Sequence, residues 1–115
     1  PIVPILSPGT RFQPVFVGDV ADAVAAALAD PDAHDGRVYE LGGPDVVTMA
    51  EVNRFVARET GRDPTFIEVP DSVSALIASM GFLPGAPITA EQWRMLRRDN
   101  VVAADAPGLR ALGVA

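Results

Sequence analysis

Residues 11–28, RFQPVFVGDVADAVAAAL, place a strand pattern, a turn and a helix pattern in one run. The strand reads over residues 13–17, QPVFV, rich in Val and Phe with Pro14 near its start. The helix reads over about residues 19–29, where Val20, Val24, Ala27 and Leu28 recur at helical spacing. Asp19 stands where a carboxylate can cap the free amide hydrogens of the first turn and oppose the helix dipole. Asp30-Pro31-Asp32 stops the helix. Strand, turn and helix in this order hold a phosphate in many α/β enzymes. Here the turn is only Val17-Gly18-Asp19, without the glycines that a dinucleotide requires.

Working outward, residues 2–6, IVPIL, form a short apolar extended piece that Pro4 confines to an edge. Residues 37–41, RVYEL, read as the next strand, ended by Gly42-Gly43-Pro44. Thr48 and Glu51 then make a capping box, with Val47 and Val52 at staple positions, and Val52, Phe55 and Val56 point inward. Gly61 closes that helix as a left-handed cap. Residues 65–69, TFIEV, read as a third strand, and Pro70-Asp71 opens a helix carrying Val73, Leu76, Ile77 and Met80 on one face, ended by Gly81. After an FLPGAP loop, Thr89 and Gln92 make a second capping box, with Ile88 stapled to Trp93, and the helix runs to about Arg98. A helical turn follows between Pro107 and Gly113. The β-α-β-α-β-α-α order predicts an α/β domain: a small, mostly parallel sheet of about three short strands with four helices packed on it.

At 115 residues the sequence reads as one domain, and 49% hydrophobic against 21% charged residues makes it globular. A net charge of -6 argues against a nucleic-acid partner. Without cysteine there is no disulfide, thiolate zinc site or thiol nucleophile, and one histidine is too few for a histidine-built metal site. All nine basic residues are arginines, so lysine chemistry is excluded for this chain by itself. No apolar run approaches the roughly 18 residues of a membrane span, and PIVPILSPG lacks the basic flank of a signal peptide.

None of the glycine-bearing stretches fits a phosphate cradle; LGGP follows a strand pattern, but Pro44 and Asp45 come next and the helix starts only at Thr48. The carboxylates fall in caps, turns and helix surfaces, and His34 lies in a polar turn. The arginines give one cluster. Arg94, Arg97 and Arg98 follow Trp93 on a single helix, with 94 and 98 on one face. They read as a solvated helix end, where cations are favoured, or alternatively as an anion or partner contact.

RFQPVFVGDVADAV, RVYELGGPDVVTMAEV and RMLRRDNVV, in that order, resemble the C-terminal part of the extended and atypical short-chain dehydrogenase/reductases, the NAD-dependent epimerase/dehydratase group. The likeness is greatest to the branch of the dehydrogenase-like accessory subunit of respiratory complex I and its bacterial relatives. The resemblance implies a single C-terminal, substrate-side lid domain over residues 1–115, with the NAD(P)-binding Rossmann domain outside this chain. It implies that residues 15–17 and the Asp19 helix start are scaffold, and that Arg11, Phe12 and Gln13 face the cofactor domain and its ligand. The family's Tyr-x-x-x-Lys dyad is absent: Tyr39 is the only tyrosine, and residue 43 is glycine. Sugar-nucleotide epimerases carry a diphosphate-binding arginine where Phe12 stands here, with Arg11 one residue off and turned to the other face.

These features lead to a set of expectations. The chain is inactive by itself, binds no cofactor and belongs to an NAD(P)-dependent parent. That parent is a complex I-associated or quinone-related oxidoreductase acting on an apolar molecule such as a quinone or lipid. Its place is the cytoplasm, peripheral to the inner membrane through a respiratory-complex partner. The isolated chain dimerises or exchanges its IVPIL strand. Two alternatives stand beside this reading: an interaction module docking through the 89–98 helix, and the lid of a nucleoside-diphosphate-sugar epimerase.

Overall fold

The computed structural model describes residues 1–85 and 88–114. Ala86 and Pro87, the end of the FLPGAP loop, lie outside the described residues. In chain order the elements are β1 (Ile2–Leu6), β2 (Arg11–Phe12), α1 (Val17–Ala29), α2 (Pro31–His34), β3 (Val47–Thr48), α3 (Met49–Glu59), β4 (Thr65–Val69), α4 (Asp71–Ser79), α5 (Ala90–Leu96) and a 3-10 turn, Leu109–Leu112. The protein is a mixed α/β fold with a small parallel sheet, as its alternating pattern predicts. The chain divides into two compact units, Pro1–Phe12 with Val47–Asn100, and Gln13–Val46 with Val101–Ala115.

In the first unit β1 pairs in parallel with β4, Ile2 opposite Thr65 through Leu6 opposite Val69. α3 lies in the crossover between them and packs on β1. β2 and β3 form a second, antiparallel pair, Arg11 opposite Thr48 and Phe12 opposite Val47. The Thr48–Glu51 capping box is formed, with both reciprocal bonds in place. α3 closes in a Schellman motif: the Arg62 amide donates to the Ala57 carbonyl and the Gly61 amide to the Arg58 carbonyl, while Gly61 takes φ 66°. Ile5 is buried on the sheet, and Ala78, Ile88 and Trp93 form a buried cluster joining α4 to α5. Gly81 is required there, because a Cβ would run into the backbone of Ile88 and Thr89.

α4 turns differently from its sequence reading. Its buried positions are Ser74 and Ala78, whereas Val73, Leu76 and Met80 are exposed. Small residues on the inner side let α4 approach its neighbours closely; of the four large apolar residues read as its inner face, only Ile77 packs against the buried cluster, and the other three are left on the outside.

In the second unit α1 packs on the 3-10 turn, burying Ala23 and Leu112. Asp19 is not the cap of α1. The helix starts at Val17, two residues earlier than expected, with Phe16 as N-cap and no side-chain cap bond. Asp19 thus sits in the first turn, where its charge still opposes the dipole. Gly18 stands at a point where a Cβ would collide with the Phe16 ring. The helix stops at Asp30 as expected, and Asp30 then serves as N-cap of α2, accepting from the Ala33 amide.

Residues 13–17 and 37–41 do not form the expected strands. Pro14 offers no amide donor to a ladder. The extended segments are instead tied by separate bonds. Gln13 donates through Nε2 to the Gly43 carbonyl at 2.9 Å and accepts at Oε1 from the Val102 amide at 3.1 Å. The Glu40 amide donates to the Pro107 carbonyl at 3.0 Å. The glycines of LGGP serve this packing: a Cβ on Gly43 would strike the Pro14 carbonyl oxygen.

Candidate functional site

The site grows from α5, a helix of seven residues and too short to hold itself. Three features fix it. Thr89 and Gln92 form the capping box expected of them. Ile88 and Trp93 are buried together, as the staple requires. At the other end the buried Thr10 hydroxyl donates to the Leu96 carbonyl at 2.6 Å, satisfying an acceptor that the helix end leaves open. α5 stops at Leu96, with Arg97 as C-cap, so Arg98 lies past the helix rather than within it.

The chain then turns back onto β2. The Asn100 amide donates to the Arg11 carbonyl at 2.8 Å, and Phe12 bridges Asn100 in parallel. Asp99 accepts the Arg11 amide at 2.8 Å and the Arg11 Nε–H at 3.0 Å. The Arg11 amide, first, and its guanidinium hold the Asp99 carboxyl below the ordinary carboxylate range.

A cleft of about 800 Å³ opens between β1, β2 and α5. Leu6, Phe12, Ile88, Met95 and Leu96 form its apolar wall, and Gln92, Arg98, Asp99 and Asn100 supply its polar groups. Met95 and Arg98 continue into a shallower hollow shared with Arg94 and Arg97. The Arg97 guanidinium lies over the Trp93 ring, 5.8 Å from its centroid, and also lines a hollow holding Asp71 and Asp99. Arg94, Arg97 and Arg98 form no ion pair among the described residues.

The residues named from sequence therefore separate. Phe12 and Arg98 meet in one cleft, with Arg94 and Arg97 beside it. Arg11 is engaged by Asp99. Gln13 belongs to the second unit, where it is a cross-link between backbone segments. Sequence reasoning missed Asp99 and Thr10, whose partners lie 88 and 86 residues away. It also missed the pairing of the single histidine with the single tyrosine: His34 Nδ1 and the Tyr39 hydroxyl share a hydrogen bond of 2.6 Å.

No group of side chains among the described residues is arranged to hold a metal ion. The space beside Gly43, in the LGGP stretch, is filled by the Pro14 carbonyl. No helix among the described residues is long and apolar enough to cross a membrane.

Fold and site together define a small mixed α/β protein whose first unit carries an apolar cleft with arginines beside it. Over 97% of its length the chain is 34% identical to the rat NADH dehydrogenase [ubiquinone] 1 alpha subcomplex subunit 9, mitochondrial, covering 30% of that protein. The Arabidopsis thaliana protein of the same name is 38% identical over 67% of the chain and 19% of its own length. The 40 kDa subunit of NADH-ubiquinone oxidoreductase of Neurospora crassa is 32% identical over 90% of the chain and 28% of that subunit. No family model matches. The chain belongs to the complex I accessory-subunit branch of the extended short-chain dehydrogenase/reductases. It spans less than a third of the length of the curated relatives it matches.

Proposed function

We propose that this chain is the C-terminal, substrate-side domain of a longer short-chain-dehydrogenase-like subunit that associates with a respiratory NADH:quinone oxidoreductase. The observation that carries the reading is the identity to the rat subunit over nearly the whole chain. NAD(P) belongs on the remainder of that longer protein, and the domain does no chemistry by itself. The packed glycines and the absence of lysine support this division of labour. So do the exposed apolar residues of α1, which suit a face covered by the cofactor-binding part. The parent would sit peripherally at the membrane that carries the respiratory complex.

Two experiments test the reading. Titration of the 115-residue chain with NADH and NADPH gives no saturable binding; low-micromolar affinity for either overturns the assignment. An epitope tag on the chromosomal copy then migrates, on native gels of solubilised membranes, with the band that stains for NADH dehydrogenase activity. Migration wholly apart from that band removes the respiratory association.

A further inference from the structure

We propose that the cleft between β1, β2 and α5 binds a single-chain amphipathic anion: an unbranched apolar chain ending in a carboxylate or a phosphate. The inference rests on the first unit alone and stands whether or not the parent joins a respiratory complex. Its volume of about 800 Å³ falls within the range of small-molecule sites, and its lining has their character, an apolar wall with a few polar groups. Phe12, Leu6 and Leu96 form the wall. Met95 is 75% exposed, an unbranched side chain placed where it can adapt to a guest.

Charge decides the head group. Four polar side chains reach the cleft, those of Gln92, Arg98, Asp99 and Asn100. The Asp99 carboxylate is already matched by Arg11 at 3.0 Å. Arg98 has no ion-pair partner among the described residues, and it opens onto the hollow that also holds Arg94 and Arg97. The uncompensated charge on the lining is therefore positive, although the chain as a whole carries -6. A guanidinium binds a carboxylate or phosphate through paired N–H donors, which gives the head a fixed place while the chain lies on the apolar wall.

The test uses the 115-residue chain, with dodecanoate and dodecyl phosphate as probes below their micelle thresholds. Both should bind saturably and shift the backbone amide resonances of Leu6, Phe12 and Leu96. Across octanoate, decanoate and dodecanoate, affinity should rise by roughly tenfold per two carbons until the wall is covered. Arg98→Gln should weaken dodecanoate by roughly five- to tenfold and leave dodecanol unchanged, while Arg94→Gln, outside the cleft, changes neither by more than about twofold. Met95→Glu places a repelling charge at an exposed position and should weaken dodecanoate more than Arg98→Gln does. Dodecanol binding as tightly as dodecanoate overturns the proposal, as does an Arg98→Gln variant with unaltered affinity. Binding seen only with phosphatidylglycerol–phosphatidylcholine vesicles, and not with the monomeric probes, assigns the surface to a bilayer and equally overturns it.

Discussion

Asp99 grips Arg11 twice, accepting its backbone amide at 2.8 Å and its Nε–H at 3.0 Å. The two residues join the segment after α5 to β2 across 88 positions of sequence. Both bonds favour the ionised carboxylate, so the folded-state pKa lies below the ordinary 3.8. The sign follows. A depressed carboxyl contributes stability that is whole above its unfolded value and is lost as pH falls through the folded value. Asp99→Asn keeps the shape and removes the charge. The gap in stability between wild type and this variant should be constant near neutrality and close progressively as pH falls through the ordinary 3.8 and below it. Urea melts at several pH values measure it; a gap that widens on acidification contradicts the assignment.

Gly43 and Gly42 adjoin one another yet should respond differently to alanine. A Cβ on Gly43 meets the Pro14 carbonyl oxygen, which is backbone and cannot step aside. A Cβ on Gly42 meets the Gln13 side chain, which can swing away at the cost of its bonds to Gly43 and Val102. Gly43→Ala should lose at least about 2 kcal/mol, and Gly42→Ala about half of that. Amide exchange should quicken in residues 13–46 and 101–114 in both variants, and most in Gly43→Ala.

The contrast between these glycines shows where the sequence was legible. Elements announced by local chemistry stand where they were read: both capping boxes, the Gly61 closure, and the β1 and β4 segments. The second unit was harder. QPVFV and RVYEL have strand composition, but a strand is defined by its partner, and Pro14 and the glycines leave only scattered bonds there. The site followed the same division. Phe12 and the arginines were visible because they lie close to their motifs. Asp99 and Thr10 carry no local signal, since each acts only through a residue some 86 to 88 positions away.

Ser74 is fully buried, at 0% exposure, and its hydroxyl has no hydrogen-bond partner among the described residues. An unpartnered buried polar group costs stability that a methyl group does not. Ser74→Ala should therefore stabilise the protein by about 1 kcal/mol. Ser74→Val should destabilise it, because α4 has no spare room on that side. A loss of stability in the alanine variant would mean that the hydroxyl is bonded after all.

The last prediction concerns α1, which hides a narrow stripe and exposes a wide one. Ala23 faces the 3-10 turn, while Val17, Val24 and Leu28 are 76%, 55% and 75% exposed. With Ala21 these residues recur at i, i+4, i+7 and i+11, so they share one helix face. An apolar face of this extent in water promotes association. If a larger protein normally covers it, the 115-residue chain should pair with a second copy through it. Sedimentation equilibrium should find dimers at high concentration. The double substitution Val24→Asp with Leu28→Lys should return the chain to monomer and leave its melting temperature within about 2 °C, since both side chains already meet solvent. If the double variant dimerises as strongly as the parent chain, the contact lies elsewhere, and β1 becomes the segment to test, because its outer edge is unpaired among the described residues.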